Sequence, residues 1–149
     1  MSRAIELAIE NVRSGGGPFG AVVVKEGKII AEGANSVTAT NDPTAHAEVV
    51  AIRRACATLG AFELVECEIY TSCEPCPMCL GAIYWARPSR LFFAATHEDA
   101  AQGGFDDAFI YEQLAVPYAE RSIPTIQVAN GDATRPFQEW KDQADKIRY

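Results

Sequence analysis

Apolar residues in the N-terminal part of the chain follow first a helical and then a strand-like period. The apolar positions that share one helical face are Ile5, Ala8, Ile9 and Val12. Their spacing predicts an N-terminal helix that ends at SGGGP (14–18). The runs FGAVVV (19–24) and IIAEGA (29–34) flank a KEGK turn, and this pattern predicts a β-hairpin.

Helical and strand-like segments alternate along the rest of the chain. DPTAHAEVVAIRRA (42–55) contains the start of a second helix. The strand-like runs EIYTS (68–72) and RLFFAA (90–95) enclose a Cys-rich turn and the helical segment PMCLGAIYWA. TIQV (125–128) predicts a fifth strand, and PFQEWKDQADKIR (136–148) predicts a closing amphipathic helix. This alternation predicts an α/β domain with helices packed on a five-stranded mixed sheet.

Length and charge limit the classes of protein that fit the sequence. At 149 residues and 48% hydrophobic content, the chain has the size of one globular domain, so we expect a single domain over 1–149. The net charge of −7 disfavours a nucleic-acid partner, because that binding depends on Lys and Arg at phosphates. Charges at Arg3, Glu6 and Glu10 interrupt the N-terminal apolar runs, so we expect no signal peptide, no membrane span and a cytoplasmic location.

The cysteines indicate metal or thiol chemistry. There are five of them, and three lie in CEPCPMC (73–79), which a framework of paired disulfides explains poorly. Cys76 and Cys79 are three residues apart at the start of a predicted helix, where the helix dipole favours thiolates. Cys56 and Cys67 are interpreted as ordinary buried thiols.

His46 and Glu48 lie in the first turn of the second predicted helix, two positions apart. Residues at i and i+2 point to different sides of a helix, but both can reach a group beyond its N-terminal end. His46, Cys76 and Cys79 form a natural ligand set for zinc, and three protein ligands leave the fourth tetrahedral position for water. Glu48 could then transfer protons between that water and a leaving group.

Two other interpretations of these residues stay open on this reasoning. CEPCPMC contains two overlapping CxxC pairs, so Cys73 could join the other three ligands in a closed structural zinc site. A CxxC redox protein is the second alternative, but it gives His46 and Glu48 no task.

The pairing of HAE with PCPMC resembles the zinc-dependent cytidine deaminase superfamily, in which water replaces an amino group on a ring. Longer segments resemble bacterial guanine deaminases over essentially the whole chain: GGPFGAVVVK, NDPTAHAEVVAIR, YTSCEPCPMCLGAIYWARP, GFDDAFIY and the terminal PFQEW and Tyr149. The resemblance implies a three-layer α/β/α fold, one Zn²⁺ per subunit, and hydrolysis of guanine to xanthine and ammonia. It also implies a homodimer in which the C-terminal segment crosses to the partner.

The same resemblance assigns residues to the substrate. Phe19 would stack on the purine, Asn35 would form hydrogen bonds to it, and the backbone of Ala47 would lie near the reacting face. Asp107 in GFDD would recognise another edge of the base, and Trp85 and Tyr149 would help to close the pocket. Guanosine deamination is the main alternative activity. A tRNA adenosine or cytosine deaminase, or a non-enzymatic protein with structural zinc, is a further alternative.

Overall fold

A computed structural model describes residues 1–149 and divides them into two compact units, Met1–Ala108 and Phe109–Tyr149. The first unit contains a four-stranded sheet and most of the helices. Its elements in chain order are α1 (Ser2–Arg13), β1 (Gly20–Lys25), β2 (Lys28–Ala34), α2 (Val37–Thr40), α3 (Ala47–Leu59), β3 (Cys67–Cys73), α4 (Pro77–Ala86), β4 (Arg90–Ala95) and α5 (His97–Gln102).

The sheet has the strand order β2-β1-β3-β4. Strand β1 is antiparallel to both of its neighbours, whereas β3 and β4 are parallel and are joined through α4. The sheet is therefore mixed, as the sequence predicts. A parallel pair needs a crossover connection, which explains why the Cys-rich turn and its helix lie between β3 and β4.

The prediction of a fifth strand is wrong, because residues 125–128 form no strand and the sheet has four strands. These residues belong to the second unit, which contains no strand with which they could pair. Ile126 and Val128 are each 80% exposed. A run of four residues with strand composition forms a ladder only where a neighbouring strand supplies hydrogen-bond partners.

Helices cover both faces of the sheet, which confirms the three-layer α/β/α prediction. Successive strand residues point to opposite faces, so Gly20 and Ala21 face different layers. Helix α1 crosses β1 at Gly20, where an added Cβ would lie 2.8 Å from the Ala8 nitrogen. Gly33 pairs with Ala21 and packs on α3, so α3 covers the opposite face from α1.

The packed face of α1 differs from the prediction. Its buried residues are Ala4, Leu7 and Ala8, while Ile5, Ile9 and Val12 are 38%, 47% and 50% exposed. The close approach of α1 to Gly20 explains this difference, because only small side chains leave room for backbone contact there. Ile5, Ile9 and Val12 consequently lie on the outer side of the helix, and Leu7 is the one large apolar residue on its packed face.

The main core lies between the sheet and α3 and α4. It contains alternate residues of β1 and β3, among them Val23 and Ile69, together with Ala51 and Ala55 of α3 and Ile83 of α4. Small residues on α3 allow this helix to lie close to the sheet. The positions of the N-termini of α3 and α4 are therefore set by tight packing.

The second unit contains three short helical elements: α6 (Ala108–Ala115), which starts at the last residue of the first unit, a 3₁₀ turn (Tyr118–Glu120) and α7 (Arg135–Asp142). The closing helix is thus shorter than the predicted 136–148. Beyond it, the Tyr149 ring lies edge-on to Trp140 with centroids 6.2 Å apart. None of the helices in either unit combines the length and apolarity that crossing a membrane requires.

Candidate metal centre

Two helix N-termini provide the three metal-ligating side chains. His46 is the residue before α3 and Cys76 is the residue before α4, and both have extended backbone conformations. Asp42 accepts hydrogen bonds from the Thr44 backbone and hydroxyl, and α3 begins after this turn, at Ala47. Cys79 lies in the first turn of α4. The positive ends of two helix dipoles thus lie at the thiols.

The ligand atoms have the spacing that zinc requires. His46 Nδ1 lies 3.6 Å from Cys76 Sγ and 3.4 Å from Cys79 Sγ, and the three ligand atoms all lie within 4.8 Å of one another. In a tetrahedral site with Zn–S bonds of about 2.3 Å and Zn–N bonds of about 2.0 Å, nitrogen and sulfur are roughly 3.5 Å apart. The side chains therefore fit one zinc ion, with Nδ1 as the histidine ligand.

The pKa values of the two thiols move in opposite directions because they share a hydrogen bond. Hydrogen bonds from Cys79, and then from His46, lower the pKa of Cys76 to about 4. The bond to Cys76, followed by burial, raises the pKa of Cys79. A bound cation would favour the thiolate form of both cysteines, because metal ligands bind deprotonated.

Glu48 is a buried carboxyl group beside these ligands. It is 7% exposed, and burial raises its pKa above the ordinary value of 4.5. A hydrogen bond to Cys79 and the charge of His46 act in the opposite direction. A buried carboxyl group with a raised pKa beside a metal site has the properties of a residue that transfers protons.

Cys73 does not belong to the ligand group, although its CxxC spacing to Cys76 is the same as that of Cys76 to Cys79. It is the last residue of β3, and its Sγ lies 3.4 Å from the carbonyl oxygen of Thr96. Burial raises the pKa of the Cys73 thiol, which favours the neutral form. The geometry thus supports a site with three protein ligands and an open fourth position over the closed site.

Two of the predicted substrate residues lie side by side in the first unit. Phe19 and Asn35 are half-buried, and the backbone N–H of Asn35 donates to the backbone carbonyl of Phe19 at 3.1 Å. The next residue, Ser36, donates from its backbone to Ala45, which leads into α3. Ala47, the first residue of α3, is 1% exposed and its carbonyl packs on Gly33. These backbone contacts connect Phe19 and Asn35 to the start of α3, where the metal ligand His46 lies.

The two aspartates of GFDD have different environments. Asp106 accepts a hydrogen bond from the Ala108 backbone at 2.9 Å, which closes a local turn. Asp107 is half-buried, and burial followed by the negative charge of Cys76 raises its pKa. Asp107 thus carries a charge interaction with a metal-ligating thiol, and its contact with the base stays a prediction.

The structure places the last two predicted substrate residues less directly. Trp85 lies on α4 and is 65% exposed. Tyr149 belongs to the second unit, where it is 70% exposed beside Trp140. Their predicted contacts with a substrate therefore stay predictions.

Two residues that contact the loops around Phe19 have no recognisable signal in the sequence. Asn11 on α1 donates from Nδ2 to the carbonyls of Gly17 and Asn35, at 2.7 and 2.8 Å, and so ties α1 to the loops around Phe19. Phe105 lies edge-on to Phe19 with ring centroids 5.0 Å apart. An asparagine on a helix and an aromatic residue in a loop are common in any sequence, so only their contacts reveal their roles.

The sequence matches a known family of zinc enzymes. Residues 1–95 match the cytidine and deoxycytidylate deaminase zinc-binding region, and the chain belongs to this family. His46, Cys76 and Cys79 lie within the matched residues and form its potential zinc site. The predicted superfamily and the predicted zinc cofactor are both confirmed.

Within this family, the chain is a homologue of guanine deaminase. It is 61% identical over 150 residues to guanine deaminase from Bacillus subtilis, with 100% of this chain and 96% of that protein covered. The crystal structure of the same B. subtilis enzyme superposes with a TM-score of 0.97 over 99% of this chain and 95% of that chain. The predicted resemblance to guanine deaminases is thereby confirmed.

Two further relatives share only part of the chain. A tRNA-specific adenosine deaminase from Aquifex aeolicus is 45% identical over 92 residues, which are 62% of this chain and 60% of that protein. A protein solved in complex with 2,6-diaminopurine is 38% identical, with a TM-score of 0.69 over 71% of this chain and 60% of that chain.

Proposed function

We propose that this protein is a zinc-dependent aminohydrolase that converts guanine and water to xanthine and ammonia. The observation that carries the proposal is the buried Glu48 beside the three-ligand set of His46, Cys76 and Cys79. The choice of guanine is supported by the similarity to B. subtilis guanine deaminase, which extends over the whole chain. The similarity to the A. aeolicus tRNA-specific enzyme covers only 92 residues.

Glu48 is assigned the proton transfers of the reaction. When bound, zinc lowers the pKa of a coordinated water to about 7 and so supplies a nucleophile at neutral pH. Glu48 takes a proton from the attacking water and returns protons to the ring nitrogen and to the amine that leaves C2. Burial of Glu48 supports this role, because a carboxyl group with a raised pKa both accepts and donates protons near neutral pH.

Four residues of the first unit are assigned to the purine. Phe19 stacks on the ring and Asn35 forms hydrogen bonds to it. The backbone of Ala47 faces the reacting carbon, and Asp107 accepts hydrogen bonds from another edge of the base. The backbone bond between Phe19 and Asn35 and the charge interaction of Asp107 with Cys76 support this arrangement.

The proposed enzyme is a cytoplasmic homodimer, and residues 1–149 act as one catalytic domain. Its C-terminal segment crosses to the partner, where Tyr149 helps Trp85 to close the substrate pocket. Large apolar side chains exposed in the second unit support a covering partner, since Phe137 is 68% and Ile126 80% exposed.

Ammonia release from zinc-loaded protein tests the activity. Guanine, guanosine, cytosine and an adenosine-containing tRNA hairpin are offered in parallel, each with and without a chelator. Release from guanine alone that the chelator abolishes supports the proposal. Preference for guanosine keeps the chemistry but changes the substrate. Release from no compound contradicts the proposal and favours another aminated ring first and a structural zinc protein second.

A further inference from the structure

Glu74 connects the Cys-rich turn to the start of α5. It follows β3 directly and precedes the metal ligand Cys76 by two residues. Its backbone N–H donates to the Ala95 carbonyl at 2.8 Å. Its Oε2 accepts from the backbone N–H of His97 at 3.1 Å and lies 2.9 Å from His97 Nδ1. One carboxylate oxygen therefore fixes both the position and the ring orientation of His97.

The start of α5 is held by further contacts around this pair. Thr96 and Asp99 form a capping box in which each side chain bonds the other's backbone N–H. The Thr96 carbonyl lies beside the buried thiol of Cys73. Glu74 completes this set by satisfying the His97 N–H, the first donor of α5 that has no partner inside the helix. These contacts hold the first residues of the segment 97–107, called the 97–107 segment below, in one position.

The far end of the 97–107 segment lies at the proposed substrate site. Gly104 has a φ of +89°, which lets the chain turn after α5, and the Phe105 N–H donates to Ala100 at 2.9 Å. The ring of Phe105 then packs edge-on against Phe19. Asp106 is engaged in its local turn, while Asp107 interacts electrostatically with both Cys76 and His97.

We propose that Glu74 and His97 form a positioning pair that holds the 97–107 segment so that Phe105 and Asp107 keep their places at the substrate. This inference rests on the proposed function, since it gives Asp107 and Phe19 their substrate roles. Glu74 lies in the same turn as Cys76 and contacts the start of the 97–107 segment, which contains Asp107. The turn after β3 therefore positions both a metal ligand and the residue assigned to recognise the base. Neither Glu74 nor His97 touches the substrate in this scheme.

Steady-state kinetics of a double-mutant cycle between Glu74 and Asp107 test the positioning role in the zinc-loaded, full-length protein. Glu74→Ala should raise KM for guanine about tenfold and change kcat by less than about twofold, because it misplaces a binding group and leaves the proton transfer intact. Glu74→Gln keeps an acceptor for the His97 N–H and should recover part of the loss. In an Asp107→Asn background, Glu74→Ala should raise KM by clearly less than tenfold, because only the contribution of Phe105 is left to lose. Independent losses that multiply in the double variant would overturn the proposal.

His97 provides a second route to the same test, away from the metal ligands in the chain. His97→Ala should reproduce the KM effect of Glu74→Ala, and His97→Asn, which keeps an N–H donor near the place of Nδ1, should restore most of it. Zinc content is measured for every variant. The control is Glu63→Ala, which removes a comparable surface pair with Arg87, 2.6 Å apart in the same unit, and should leave KM unchanged.

Hydrogen exchange supplies a readout that does not depend on activity. Backbone amides in the 97–107 segment should exchange at least about tenfold faster in Glu74→Ala than in the parent, with no such change in Glu63→Ala. If the parent protein fails to deaminate guanine, the proposed function fails, but hydrogen exchange still tests whether Glu74 and His97 hold the 97–107 segment. Unchanged exchange in the segment would overturn the positioning role whatever the substrate is.

Discussion

At the scale of single residues, the site depends on how the fold surrounds groups that are ordinary in themselves. Glutamate is usually a surface residue, but Glu48 is almost fully buried. Cys73 and Cys76 both belong to CxxC pairs, yet Cys76 lies in the ligand group and Cys73 contacts the Thr96 carbonyl. Burial, helix ends and neighbouring charges decide which of these groups carries chemistry.

Glu48→Gln should lower turnover of guanine by about 10²–10⁴, because the amide cannot transfer protons, while zinc binding and folding persist. The substitution keeps the shape of the side chain, and Glu48 is not part of the ligand group. Ammonia release and zinc content measured on the same sample check the prediction. Turnover close to that of the parent would remove Glu48 from its assigned role.

Cys73→Ser should leave zinc content and turnover nearly unchanged, because the Cys73 thiol contacts the Thr96 carbonyl and a serine hydroxyl can do the same. Cys79→Ser is the matched comparison, and it should lose the metal because it removes a ligand. Zinc analysis after gel filtration distinguishes the two variants. Loss of zinc from Cys73→Ser would instead support the closed four-ligand site.

The titration of His97 should report its contact with Glu74. The hydrogen bond to Glu74, with the charges of Glu98 and Asp107, raises the pKa of His97 above 6.5. This stabilising contribution is complete below the unfolded pKa and is lost as pH rises through the folded pKa. Glu74→Gln should therefore lower the titration midpoint. The chain has two histidines, and His46 belongs to the potential zinc site, so the ring resonances of His97 can be distinguished and followed by NMR.

At the scale of elements, the site is assembled by helices that approach the sheet closely. Helices α3 and α4 each begin at a metal ligand, so their placement sets the geometry of the site. The approach of α3 depends on Gly33 of β2, which faces the backbone of Ala47 and Ala51. A side chain at this position would separate the helix from the sheet and would move His46 and Glu48 with it.

Gly33→Ala should lower the free energy of unfolding by about 1–3 kcal/mol and reduce turnover, because the new Cβ would overlap with the Ala47 carbonyl and lie 2.6 Å from the Ala51 nitrogen. Gly131→Ala is the control, since Gly131 has open space around it and should change stability by less than about 0.5 kcal/mol. Denaturant unfolding compares them. Equal stability of both variants would contradict the packing argument.

At the scale of the whole molecule, the two units differ in how far they bury their apolar residues. The sheet and helices of the first unit enclose a continuous core. No residue of α6 or α7 is buried, and Ile123, Ile126 and Val128 of the second unit are all at least 76% exposed. Extensive apolar exposure of this kind is typical of a surface that a protein partner covers.

The protein should therefore sediment at twice its chain mass of 16.1 kDa. Deletion of the last few residues, including Tyr149, should raise KM for guanine if the tail closes the partner's pocket. Sedimentation equilibrium and steady-state kinetics on the parent and the truncated protein check both statements. A monomer with full activity, or a truncated protein that keeps its rate and affinity, would contradict them.

The sequence alone determined the features that depend on neighbouring residues. The longer helices and the strands of residues 1–95 lie where the local period of apolar residues predicts them, whereas the short helix α2 and the packed face of α1 were not predicted. The zinc ligands were also predictable, because Cys76 and Cys79 share a helix start and HAE opens another helix. The same short spacings carry the family resemblance.

Only the tertiary structure decided the features that depend on contacts between distant residues. The outer position of Ile5 and Ile9 follows from the backbone approach at Gly20, and the contact between Glu74 and His97 joins residues 23 apart in sequence. TIQV (125–128) has strand composition but no strand partner in its unit. Local periodicity describes one segment at a time, whereas packing and hydrogen bonding depend on what lies opposite that segment.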